Sequence, residues 1–170
     1  MEFQWAQVSG ALAGGIVGGF AGFVSNMIML RFQSTQIRRS VARALSGEIG
    51  AISKRIELEY LKKLSIELNI MKTEQRYTSH HFRGQKDLTK VFCSLGGHIG
   101  FLPSELVSEL VSWYISLTIY QERESEFHEL TTNKGLEVME YAIELLELQH
   151  AGYADLVQKA RPLLAQLGAI

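Results

Sequence analysis

Apolar positions along this chain fall first in one uncharged run and then at the three-to-four spacing of amphipathic helices. Residues Val8 to Leu30, VSGALAGGIVGGFAGFVSNMIML, contain no charged side chain. A helix of that length reaches roughly 34 Å, against a bilayer hydrocarbon core of about 30 Å, so the run predicts a transmembrane helix. Ser34 or Thr35 then offers an N-cap hydroxyl. Beyond it, Ile37, Val41, Leu45, Ile49, Ile52, Ile56, Tyr60, Leu64 and Leu68 recur at every third or fourth position. That spacing predicts a long amphipathic helix, or a coiled-coil seam, ending near Met71. Gly47 and Gly50 are the points where it would kink.

The polar stretch from Lys72 to Asp87 predicts a loop. Val91, Phe92 and Leu95 predict one helical turn, closed by a corner at Gly96, Gly97 and Gly100. Pro103 and Ser104 suit the first turn and cap of a further helix. Its apolar face is Leu106, Val107, Leu110, Val111, Tyr114, Leu117 and Thr118, widened by Trp113 and Ile115, and an acidic continuation, QERESEFHE, follows. After a break at Thr131 to Asn133, Leu136, Met139, Ile143 and Leu146 predict a helix to about His150, ended by Gly152. A last helix, Tyr153 to Leu167, is interrupted by Pro162. The fold class is all-α: one N-terminal transmembrane helix, a long amphipathic helix and a small helical cytoplasmic domain. The expected divisions are 1–33, tail and span; 34–72, juxtamembrane helix; 73–103, loop and short turn; and 104–170, helical hairpin or bundle.

Within the apolar run, Gly10, Gly14, Gly18 and Gly22 stand four residues apart, and Asn26 extends their row. Gly15 and Gly19, with Ala11, form a second row beside it. Residues four apart share a helix face, and small residues in a bilayer let a second helix approach closely. These glycines and Asn26 are therefore the predicted helix–helix interface, although glycine is also common in membrane helices generally. Arg31, Arg38, Arg39 and Arg43 follow the run, with no acid until Glu48. The positive-inside rule places the C-terminal part in the cytoplasm, so the expected location is a single-pass position in an inner (cytoplasmic) membrane. The same four arginines are candidate contacts to anionic headgroups at the membrane surface. Residues 1–7 carry Glu2 and no Lys or Arg, which argues against a cleaved signal peptide.

Charge and chemistry narrow the possibilities further. The 170-residue chain has a net charge of -1, which gives no basic field for nucleic acid. A single cysteine, Cys93, excludes an intramolecular disulfide and is expected as a small apolar filler. His80 and His81 are adjacent and do not share a helix face, and GGHIG lacks the Lys and spacing of a phosphate loop. Glu124 and His128 stand at i,i+4, where a solvated face is the expectation. His98, Cys93, Glu105 and His128 are scattered, so no catalytic, cofactor-binding or metal-ligating set is assigned, and no cofactor is expected.

The segment TKVFCSLGGHIGFLPSELVSELVSWYISLTIYQE holds Val91, Phe92, Ile99, Gly100, Leu102, Pro103, Glu105, Leu106, Val107, Trp113 and Tyr114. In these residues it resembles uncharacterised bacterial single-pass membrane-anchored proteins with a helical cytoplasmic domain. The resemblance implies that architecture and carries no catalytic residues. The expected function is a non-enzymatic, membrane-anchored structural or interaction protein that associates through the Gly-rich helix. Its partners would be membrane lipids and either further copies of the chain or other membrane subunits. The alternative is an accessory subunit of a larger respiratory, photosynthetic or transport complex.

Overall fold

The computed structural model describes the backbone of residues 3–77, 88–133 and 135–170, and the side chains of 25–77, 88–132 and 137–170. The described residues are helical, without strands. Helix α1 spans Phe3–Arg55, continues through one π turn at Ile56–Tyr60, and passes directly into α2, Leu61–Glu74. A short α3, Lys90–Ser94, and a 3-10 turn at Ile99–Phe101 lead into α4, Ser104–Asn133. After a 3-10 turn at Gly135–Val138, α5 runs Met139–Gly168.

Three rods pack side by side. Helix α5 lies antiparallel to the α1–α2 rod: Arg43 and Leu167 line one groove, Arg161 faces Glu57 at 4.0 Å, and Lys72 pairs with Glu147. It is also antiparallel to α4, with Gln166 donating to Glu109 at 3.0 Å near one end and Tyr141 to Glu126 at 3.2 Å near the other. The stripe expected on the second segment forms the core: Val41, Leu45, Ile49, Ile52, Ile56, Tyr60 and Leu64 are buried, with Ile37 and Leu68 packed against them. Leu106, Leu110, Trp113 and Leu117 of α4 and Leu146, Tyr153, Leu156 and Leu163 of α5 complete it. The Trp113 indole N–H would be costly to bury alone, and it donates to the Leu156 carbonyl at 3.0 Å.

Several expectations are corrected. Among the described residues no helix is long and apolar enough to cross a membrane, so the expected N-terminal transmembrane helix is not supported. A span needs about 20 apolar residues. The apolar run whose side chains are described holds only Met27 to Leu30 and Phe32 before Arg38, Arg39 and Arg43, and Arg31 interrupts it. The predicted interface residues Gly10, Gly14, Gly15, Gly18, Gly19 and Gly22 lie outside the residues whose side chains are described, and Asn26 is exposed. His80 and His81 also lie outside the described residues.

The two predicted N-terminal helices are one. Ser34 and Thr35 do not cap a new helix; both hydroxyls turn back to the Arg31 carbonyl at 2.9 Å, which leaves the helix unbroken. The helix runs through Gly47 and Gly50 without a break. Its irregularity is the π turn, where the Leu61 N–H reaches the Ile56 carbonyl five residues back. The break expected at Gly152 is absent too, and α5 passes through both Gly152 and Pro162.

Candidate functional site

The feature that stands furthest from a satisfied core is the part of α1 that precedes it. Met27, Ile28, Met29, Leu30 and Phe32 are 43–65 % exposed. At 3.6 residues per turn these five positions point to every side of the helix, so no single neighbouring surface of the bundle covers them. Arg31, Arg38, Arg39 and Arg43 follow within the next three turns, and all are exposed. None forms an ion pair among the described residues. No acidic residue occurs from Phe3 to Gly47. The result is an apolar collar followed by a basic face, carried on one continuous helix.

Glu48 stands one turn beyond Arg43 and has a structural task. Its carboxylate accepts the backbone N–H groups of Val91 at 2.7 Å and Phe92 at 3.0 Å, and the Tyr114 hydroxyl at 2.6 Å. The first N–H groups of a helix have no partner within it, so Glu48 of α1 acts as a remote cap for α3. Phe92 stacks on Tyr114 with ring centroids 3.9 Å apart. Burial, and then the Glu48 bond and charge, push the Tyr114 hydroxyl well above the usual phenol range. All of this chemistry is consumed in joining α1, α3 and α4.

A second polar cluster sits where α4, α5 and the π turn meet. Glu124 is 4 % exposed, and neither carboxylate oxygen has a hydrogen-bond partner. Burial raises its pKa from the ordinary carboxylate range to about 7. The Tyr153 ring lies 5.7 Å from Tyr60 and 5.6 Å from Tyr120. Burial, followed by the charge of Glu124, raises the Tyr153 hydroxyl above the phenol range. Gln149 donates to the Tyr120 carbonyl at 3.4 Å. Gly152 lets Tyr120 approach, since a Cβ there would stand 2.3 Å from that ring.

The residues that the sequence left as scattered candidates stay scattered. Cys93 is exposed rather than a core filler, because α3 turns it outward beside Thr89. His98, Glu105 and His128 are exposed as well, and Glu124 is buried rather than solvated. Among the described residues no group of three or more His, Cys, Asp or Glu side chains could hold a metal ion. Glu48 and Glu124 are the residues that sequence reasoning missed. Val111 and Ile115, which were read as part of the apolar face of α4, form with Ile119 a strip one turn apart that is 37–54 % exposed and lines an open groove with Phe92 and Cys93. Comparison with known protein families, curated proteins and solved structures finds no match to this chain.

Proposed function

We propose that this chain is a non-enzymatic helical interaction protein that docks through the exposed part of α1 onto an anionic phospholipid surface. The observation that supports this is the apolar collar beside a basic face, with Met27 to Phe32 exposed on all sides and Arg31, Arg38, Arg39 and Arg43 in no ion pair among the described residues. In such docking the apolar side chains sit at the boundary between headgroups and acyl chains, and the arginines meet the phosphates. Docking of this kind requires no membrane-crossing segment. Each basic residue near an anionic surface contributes about 1 kcal/mol.

Co-sedimentation with vesicles tests this. The chain is expected to bind vesicles containing phosphatidylglycerol and to leave vesicles of phosphatidylcholine alone. The double variant Arg38→Glu/Arg39→Glu is expected to weaken binding at least about tenfold, and added salt to weaken it further. Equal binding to both vesicle types, or no effect of the charge reversal, refutes the proposal.

The exposed Val111–Ile115–Ile119 strip favours a second reading, in which the chain is an accessory subunit and α4 contacts other subunits. If so, Ile115→Glu should abolish recovery of a stoichiometric partner set in a gentle-detergent pull-down while leaving vesicle binding intact.

A further inference from the structure

One buried group in the bundle is left without any partner. Glu124 lies inside the joint between α4, α5 and the π turn, with 4 % of its surface exposed and both oxygens unbonded. Charged groups border the joint, with Arg55 over the Tyr60 ring at 5.8 Å and Glu57 of the π turn facing Arg161 of α5 at 4.0 Å, while the side chains packed within it are uncharged. From α5 come Tyr153 and Gln149, from the π turn Tyr60, and from one turn back on α4 Tyr120. Of the charged residues nearest in sequence, Arg123 lies over the Tyr120 ring at 5.8 Å, while Glu122, Glu126 and His128 are exposed. Glu67, the other buried carboxylate, is on α2 and is engaged in its own interaction.

Such a pocket accepts a neutral carboxyl and rejects a carboxylate. A buried charge without a counter-ion or donors is strongly disfavoured, and the structure relieves it by protonation or by admitting water. The surrounding construction suits the second route. The π turn is a wide segment within the helical rod, and such turns recur at functional sites. Tyr120 and Tyr153 meet only because Gly152 leaves space between them. The joint rests on ring contacts, one long amide bond and, at its exposed edge, the Glu57–Arg161 pair at 4.0 Å between the π turn and α5.

We propose that Glu124 makes this joint proton-gated: protonated, it keeps the π turn, α4 and α5 closed over it, and ionised, it opens the joint locally to water while the rest of the bundle stays folded. Burial is the cause that shifts its titration, and the shift carries the midpoint to about 7, so the gate works near neutrality. Opening would free the α1–α2 rod to change its angle against α5 at the π turn.

Hydrogen exchange of the full-length chain, read by mass spectrometry and corrected for intrinsic rates, tests the gate. Between about pH 6 and about pH 8, peptides covering 56–60, 120–127 and 149–156 are expected to exchange at least about tenfold faster at the higher pH. Peptides covering 41–52 and 106–117 should not change. Glu124→Gln is expected to abolish the response, because the amide cannot ionise. A carboxyl NMR titration of the wild-type chain provides a second readout that needs no variant. A midpoint near the ordinary value of about 4.5, or an unchanged exchange pattern, overturns the proposal, as does the same response in Glu124→Gln.

Discussion

Glu48 shows how much of this bundle depends on one carboxylate. Replacing it with Ala removes the acceptor for two backbone N–H groups and one phenol, all partly buried. We expect Glu48→Ala to lose about 2–4 kcal/mol in urea unfolding, and Tyr114→Phe about 1 kcal/mol. Glu124 acts in the opposite sense. Its folded pKa of about 7 lies above the unfolded value of 4.5, so the folded state holds the proton more tightly. Stability is then fully present below about pH 4.5 and falls as pH rises through about 7, by at most about 3 kcal/mol. Melting temperatures across that window check the sign, and Glu124→Gln should flatten the curve. Neither role was read from sequence. Glu48 bonds to atoms more than forty positions away, which no local pattern reports. Glu124, however, was within reach: Leu110, Leu117 and Glu124 are seven apart, with Phe127 three further on, so the acid stands in phase with the buried face. The surrounding acids made it look like one more solvated charge.

The helices are longer than their punctuation implies. Gly152, Pro162, Ser34 and Thr35 were expected to break or cap them, yet tertiary packing runs through each. Gly152 is present for space: Gly152→Ala should destabilise by about 1–2 kcal/mol by pushing Tyr120 off Tyr153, and much less in a Tyr120→Ala background. That difference is measurable as a double-mutant cycle. Pro162 is exposed, and its backbone nitrogen donates nothing, so Pro162→Ala should raise the melting temperature, by about 1–3 kcal/mol in stability. The π turn had a signal of its own. Ile52, Ile56, Tyr60, Leu64 and Leu68 follow one another at intervals of four. In a regular helix each such step drifts about 40° around the axis, so four in succession would leave the core. One wide turn resets the phase, and that is where it occurs.

The all-α class and the core-facing stripe of the α1–α2 rod were legible, because long helices with unbroken periods declare themselves. The antiparallel placement of α5 against both other rods was not, since it depends on which apolar faces meet. Among the residues whose side chains are described, the core begins at Ile37 and Val41. A chain starting at residue 34 is expected to keep the melting temperature of the full chain and lose vesicle binding. The distribution of charge carries one more consequence. The basic face of α1 lies near the C-terminal end of α5, while Glu126, Glu129, Glu137, Glu140 and Glu144 gather at the opposite end, roughly 45 Å away along the rod. A net charge of -1 thus conceals two poles. Such a rod is retained by cation-exchange and anion-exchange resins alike, and on each it stands upright with a different end towards the solvent.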